Sequence, residues 1–406
     1  FSDGMMHYYI KEVNRPTNSN VTVNYVITPE TGKTEDDYKN QTVPGNDTYT
    51  GYTYGTFKNG SKYAEMVTGE FPALKTDQTI KSNLIIQFPD NGLNQDSEKG
   101  KTFNGKVVVN YEPEYISTYL TKLDKASNGL EEDTTPDKNI RYVGVSPRNY
   151  LKFNGEIWRI IGVFNNITTI DENGKEKKES LVKIVRNESL GSYSWNSSGS
   201  DKNNGRGINE WSQADLMTEL NTDYINTSLT SGTTKWFNGQ YNAKNGSYDY
   251  EKNIKSSWVD KVAKVRWNLG GYNTNSVSAL NMYNAERRTA HISYPSDGIT
   301  RTNTWDGKIA LMYPSDYGYA STNTACRNHM IYACKNENWL FNSAYQWTLS
   351  PHSGYAYYVF VVYSGGDFDY SGASNAYGVR PALFLKSDVV IAGGTGESIE
   401  KAYTLE

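Results

Sequence analysis

The chain has 406 residues, enough for two or three domains at about 150 residues each, and carries 41 basic against 45 acidic side chains for a net charge of −4. That balance supplies no basic field for nucleic acid or anionic lipid, and no stretch approaches the roughly 18 consecutive apolar residues of a membrane-spanning helix. Its 33 Tyr against 12 Phe and 9 Trp, with abundant Asn, Ser, Thr and Gly, give rigid amphipathic contacts beside adaptable hydrogen bonding. The same palette suits an exported β-protein.

Residues 1–112 alternate apolar and polar positions in Val21–Ile27, Ser82–Phe88 and Lys106–Tyr111 between Gly/Asn/Asp turns, which predicts a β-sandwich. Residues 113–139 then give a helix and a linker: Tyr115, Ile116, Tyr119, Leu120 and Leu123 share one helical face, and Asn128 to Asn139 is polar. From Ile140 to the last residue strands dominate, with the run Ile157–Phe164 and a hairpin turn at Asp171-Glu172-Asn173-Gly174. Amphipathic spacing predicts helices over Ile208–Leu220, with Asn209 as a cap, and over Glu251–Val265. From Lys308 onward short strands and loops follow. The class is therefore α+β, with a domain boundary near residue 135 and no internal repeat.

Catalytic signatures are lacking. His7, His291, His329 and His352 are scattered, without HExxH or any pair at metal-ligand spacing, and the nucleophile-elbow, Walker and dinucleotide-binding motifs do not occur. Cys326 and Cys334 enclose seven residues, a spacing that fits a local disulfide and an oxidising, extracellular compartment; two unpaired buried thiols are the alternative. Bridged, so short a loop contributes about 2.5 kcal/mol. An enzyme reading would have to use Cys326 with His329 and Asp316. Asp367 and Asp369 could hold Ca²⁺, though two carboxylates on a Gly/Ser-rich loop ordinarily face water.

One segment stands out. Met, Trp, Gln, Lys and Glu together number 75 of 406, so a 38-residue window should hold about seven, yet residues 348–385 hold none; the next longest run lacking them, Arg287–Thr304, has 18 residues. These five are the amino acids that a codon ending in a pyrimidine cannot encode. Randomised adenines in Asn codons would give the Tyr, Asp, Ser, Gly, Ala, His, Phe and Val that fill the segment. The plainer explanation is that β-rich segments are poor in Lys and Glu.

The C-terminal part resembles a family. Tyr142-Val143-Gly144, Gly155 to Phe164, Gly207 to Met217, Ala310 to Tyr319, Trp347-Thr348-Leu349-Ser350-Pro351 and Gly378 to Leu385 are similar to large Gram-positive surface proteins with a C-type-lectin-like fold of the formylglycine-generating-enzyme type. That fold includes variable target proteins of diversity-generating retroelements, whose C-terminal repeat forms a ligand-binding face on a fixed scaffold. The resemblance covers 140–406 and implies a C-type-lectin-like domain with 348–385 as its variable segment. It implies no enzyme activity, because neither the reactive cysteines nor the iron-binding histidines of the fold's enzymes are matched. More weakly, Ser82 to Val109 is similar to the β-sandwich of camelysin and biofilm-fibre proteins of Firmicutes.

Together these readings give a non-catalytic adhesin or receptor at the bacterial cell surface. Tyr355, Tyr357, Tyr363, Tyr370 and Tyr377 would anchor contacts, with His352, Ser353, Asp367, Phe368, Asp369, Ser371, Ser374 and Asn375 completing the binding face. Val359, Phe360, Val361, Trp347, Arg380 and Phe384 would be scaffold. The partner would be a protein or glycan on another cell, a host or a phage, with no cofactor, no nucleic acid and no membrane span in the chain. A structural subunit that assembles into a surface fibre is the alternative.

Overall fold

The β-branched and aromatic runs near the N-terminus form strands, as their alternation predicts. The computed structural model describes the backbone of eight strands between residues 4 and 113 and, from residue 114 to 406, all residues except 198–202, 227, 231–235, 239–245, 288–296 and 331–333. The chain divides into two units, residues 1–114 with 390–393 and residues 115–389 with 394–406.

In the first unit the strands are β1 (Gly4–Asn14), β2 (Asn24–Thr28), β3 (Gln41–Thr42), β4 (Thr48–Tyr49), β5 (Thr53–Thr56), β6 (Tyr63–Phe71), β7 (Asn83–Gln87) and β8 (Asn104–Pro113). They make two three-stranded antiparallel sheets, ordered β6-β1-β8 and β5-β2-β7, and a small β3–β4 pair. The three expected strands correspond to β2, β7 and β8.

The second unit begins with the expected helix, α1 (Ile116–Lys122), which buries Ile116 and Leu120. A turn of helix, α2 (Lys125–Asn128), and β9 (Leu130–Glu132) follow. The segment read as a linker is therefore part of this unit: Asp133, Thr135 and Asn139 are buried, with Asp133 accepting from Thr135, Asn139 and Arg141. Its polarity serves an internal hydrogen-bond network, which composition alone does not distinguish from solvent exposure.

The main sheet continues through β10 (Ile140–Tyr142), β11 (Tyr150–Phe153), β12 (Glu156–Ile170), β13 (Glu176–Arg186), β14 (Ser192–Ser194), which belongs to a second sheet, β15 (Val265–Asn268), β16 (Thr304–Gly307) and β17 (Ile309–Leu311). The second sheet also takes β18 (Gln346–Pro351), β19 (Tyr358–Val362), β20 (Phe368–Gly372) and β21 (Ala376–Gly378), and β22 (Pro381–Phe384) returns to the first. The first sheet runs β16-β15-β12-β13-β22-β17, with β9, β10 and β11 added around β12. The long β12–β13 hairpin turns at the predicted Asp171–Gly174, where the Asp171 carboxylate accepts from the backbone N–H groups of Asn173 and Lys175 at 2.9 and 2.8 Å. Trp158, Ile160, Leu181 and Ile184 are fully buried along it, each such side chain stabilising the fold by roughly 1.5–3 kcal/mol.

Two predicted helices are shorter than expected. Ile208–Leu220 yields α3 (Asp215–Thr222), preceded by a 3₁₀ turn at Trp211–Gln213, because Asn209 and Glu210 spend their side chains on distant backbone. Glu251–Val265 yields only α4 (Ser256–Val259) after a 3₁₀ turn at Tyr250–Lys252. Its middle is captured by tertiary bonds, in which Asn253 donates to the Asn226 carbonyl and the Lys255 N–H donates to the Asn154 side-chain oxygen. Beyond these, α5 (Ala279–Glu286), α6 (Pro314–Tyr319) and α7 (Thr324–His329) appear where no helix was expected. Each is shorter than the window over which periodicity is readable.

A buried charge network ties helix to sheet. The Asp316 carboxylate on α6 receives Lys183 of β13 at 2.6 Å and Arg141 of β10 at 2.7 Å, and Arg141 also meets Asp133 at 2.6 Å; none of these side chains is more than 2 % exposed. Lys183 and Asp316 are thus not surface charges but one internal pair.

Candidate functional site

The compositionally distinct segment 348–385 builds most of the second sheet, ordered β14-β21-β18-β19-β20. β19 runs antiparallel between β18 and β20, with Phe360 opposite Tyr370 and Val362 opposite Phe368. Val359, Phe360, Val361 and Val362 are all buried, so the strand is covered on both faces, as are Trp347, Arg380 and Phe384.

The tyrosines gather in two clusters. In one, Tyr358 packs against Tyr357, Tyr355 and Tyr370 with ring centroids 4.4, 5.0 and 5.0 Å away. In the other, Tyr377 lies 5.0 Å from Tyr345 in a stacked pair and 4.9 Å from Trp347, and Tyr363 lies 4.9 Å from Tyr345. Tyr355 is 44 % and Tyr345 40 % exposed; Tyr357, Tyr358, Tyr363, Tyr370 and Tyr377 are half-buried. Burial raises the phenols of Tyr358 and Tyr370 and pushes that of Tyr363 up to about 12, so these rings present neutral hydroxyls at physiological pH.

Of the thirteen residues expected to contact a ligand, nine reach solvent: Ser353, Tyr355, Tyr357, Tyr363, Asp367, Asp369, Tyr370, Asn375 and Tyr377. The other four are buried. His352 sits beneath the first cluster, 4.4 Å from the Tyr370 ring and 5.7 Å from Phe360, and its Nδ1 accepts from the Gly354 N–H at 3.0 Å. Phe368 stacks on Phe360 at 4.9 Å. Ser371 accepts from Asn375 at 2.6 Å and shares a hydrogen bond with the Tyr377 hydroxyl at 3.1 Å. The Ser374 carbonyl accepts from the Ser194 hydroxyl at 2.9 Å. Tyr345 and Tyr358 belong to the clusters but were not singled out. Tyr345 precedes the distinctive segment, and Tyr358 adjoins the apolar run that marks β19.

Neighbouring elements hold this segment largely by its main chain, with the buried Arg380 side chain tying its end to the Arg186 and Leu340 carbonyls and to Gln346. Asn209 donates its side-chain amide to the carbonyls of His352, Tyr355 and Tyr358, at 3.2, 2.6 and 2.9 Å, and its backbone N–H to Ala356 at 3.0 Å. Arg301 adds a bond to the Ala356 carbonyl, Trp195 to Thr348, Asn196 to Ala373 and Tyr317 to Gly366. Gly271 comes so close to the Pro351 carbonyl that a Cβ would stand 1.7 Å from its oxygen. Two frame contacts reach side chains on the exposed face: Arg206 donates to the Tyr357 hydroxyl at 2.6 Å, and Asn275 to the Asp369 carboxylate at 3.0 Å.

Cys326 and Cys334 form a disulfide. The Cys334 N–H and the Tyr317 hydroxyl both donate to Gly366, in the turn between β19 and β20, so the bridge supports the turn that carries Asp367. With Cys326 bridged and Asp316 held by Lys183 and Arg141, neither is available as a reactive group. The side chains of His7 and His291 lie outside the described residues.

Among the described residues no three His, Cys, Asp or Glu side chains cluster as a metal site, and no helix is long and apolar enough to cross a membrane. The Asp369 oxygen considered for Ca²⁺ accepts from Asn275 and from the Tyr370 N–H. Comparison of the chain with protein-family models, with curated proteins and with solved structures finds no match.

Proposed function

We propose that the protein is a non-catalytic cell-surface ligand-binding protein, of the adhesin or receptor type, in which segment 348–385 is a changeable binding face on a fixed C-type-lectin-like scaffold. The observation that carries this reading is the grip of Asn209, Arg301, Trp195, Asn196 and Tyr317 on backbone carbonyls. A frame bonded to main chain keeps its hydrogen bonds whichever side chains the segment displays, because every residue presents the same carbonyl. Side chains that point away from the frame are then free to differ.

The exposed tyrosines suit recognition. Each offers a large rigid ring with a polar tip at the cost of ordering only two torsions, and such residues dominate binding energy at protein interfaces. Asp367, Asp369 and Asn375 would tune polarity around them. The ligand is a protein or glycan on another cell, a host or a phage, and the antiparallel N-terminal unit would be the module that presents the face.

The test is a library of the full chain with positions 355, 357, 363, 367, 370, 375 and 377 randomised together, paired with deep sequencing of the gene in a growing population. Most library members should stay folded by protease resistance, and adenine-centred substitutions should concentrate in codons 348–385. Loss of folding in most members would sink the idea of a tolerant face. An invariant window in the population would leave a fixed adhesin.

A further inference from the structure

Outside segment 348–385 the molecule has a further concave surface feature. An open depression of about 450 Å³ lies against β14, the strand next to β21 in the second sheet. We infer that this depression, lined by Tyr193, Asn238, Ser247, Tyr248, Asp249 and Lys252, binds a neutral saccharide ring.

The wall is aromatic and rigid. Tyr248 stacks on Trp236 with centroids 4.2 Å apart and planes 6° from parallel, and Tyr193 packs against Trp236 at 4.9 Å. Both phenols are anchored from behind: Tyr193 donates to the Ser247 carbonyl and Tyr248 to Asn253, each at 2.8 Å. With its hydroxyl committed and one face on Trp236, the half-buried Tyr248 offers ring surface against which the C–H face of a sugar packs, and the buried Tyr193 backs it. Gly191, at φ +151°, also lines the depression, and a Cβ there would stand 2.8 Å from the Tyr193 ring. Only glycine lets that ring lie so close to the backbone.

The rim carries donors and acceptors of both signs. One oxygen of Asp249 accepts from the Glu251 N–H at 3.1 Å, leaving the other for a ligand hydroxyl. The Lys252 ammonium donates to the Leu190 carbonyl at 3.2 Å and keeps two further N–H groups, and the Asn238 side chain is exposed beside them. A phosphate would meet Asp249 and a cation would meet Lys252, so a simple ion of either sign is repelled by one side of the rim. A polyhydroxyl ring, which both donates and accepts and carries no charge, satisfies all of them. The volume falls within the range of small-ligand sites.

Tyr193 stands opposite Tyr377 in the β14–β21 register, so the depression adjoins the tyrosine face yet contains no residue of 348–385. The assignment therefore stands or falls separately from the variable-face reading. Saturation-transfer NMR of the full chain with N-acetylglucosamine, galactose and mannose tests it. At least one sugar should show transfer with a dissociation constant near or somewhat above about 1 mM. Asp249→Asn, which keeps the turn-capping oxygen, and Lys252→Met should each weaken it at least about tenfold, while Tyr355→Ser leaves it unchanged. Absence of transfer with all three sugars, transfer unaffected by both pocket variants, or transfer lost with Tyr355→Ser would each overturn the assignment.

Discussion

Asn209 and Arg301 converge on one carbonyl oxygen: the Asn209 backbone N–H and Arg301 Nη2 both donate to Ala356, at 3.0 and 2.8 Å, while the Asn209 side-chain oxygen accepts from Arg301 Nε at 2.9 Å. Asp297, bonded to Arg301 at 2.6 Å with both side chains at most 2 % exposed, fixes the guanidinium from behind. Three residues outside segment 348–385 thus set the path of its backbone from His352 to Tyr358.

Replacing Asn209 with Ala should therefore be costly even though it removes no apolar contact of note. It takes the shared donor from the carbonyls of His352, Tyr355 and Tyr358, of which His352 and Tyr358 keep a second donor in the N–H groups of Tyr355 and His352. It also leaves Arg301 Nε without its acceptor, so urea denaturation should record a loss of about 2–4 kcal/mol. Tyr355→Ser, on the exposed face, should shift stability by no more than about 0.5 kcal/mol. Equal losses in the two variants would show that Tyr355 is a packing residue and not a displayed one.

The charge network makes a second contrast. Lys183 and Asp316 have no exposed side-chain surface, and burial lowers the lysine against the pull of the carboxylate. Lys183→Met leaves Asp316 with Arg141 as its one cationic partner beside the Tyr313 N–H and should cost about 3–5 kcal/mol. Arg266→Ala breaks two ion pairs against the one of Lys183, to Glu176 and Asp306, but at a third exposed it should cost under about 1 kcal/mol. Thermal unfolding of the two variants side by side distinguishes internal from surface pairing; similar shifts would refute the distinction.

These relationships also mark what the sequence could and could not disclose. Periodicity located α1, and the Asp171–Gly174 turn located the β12–β13 hairpin, because in both cases the signal is local. It overextended α3 and α4, since Asn209 and Asn253 are claimed by backbone far away in the chain. Composition set segment 348–385 apart, but it could not sort the segment's residues by face. β19 is covered on both sides, so the alternation that separates inward from outward positions is absent there, while His352, just past β18, and Phe368, at the start of β20, are buried by packing that no local pattern displays. The Tyr193 depression is formed by residues 190–193 meeting Asn238, Ser247, Tyr248, Asp249 and Lys252 across the fold, a proximity no local pattern encodes.

Two buried titratable groups give opposite pH dependences. Burial pushes Glu286 up to about 7, with Asp316 adding to the rise and Arg287 and Ser315 opposing it. Its folded value lies above its unfolded value near 4.5, so its contribution to stability is full below pH 4.5 and is lost as pH rises through 7. Burial among Tyr355, Tyr358, Phe360 and Tyr370 pushes His352 down to about 4, against bonds to the backbone of Asn273 and of His352 itself. Its contribution is full above the unfolded value of 6.5 and is lost as pH falls through 4. Between pH 4.5 and 6.5 the two slopes, each about 1.4 kcal/mol per pH unit, run against one another. Wild-type stability across that window should be nearly flat. Glu286→Gln should expose the histidine slope, with stability rising with pH, and His352→Asn should expose the glutamate slope, with stability falling with pH. Urea midpoints taken at half-unit intervals would show this crossing, and two variants with parallel profiles would rule out the opposition of Glu286 and His352.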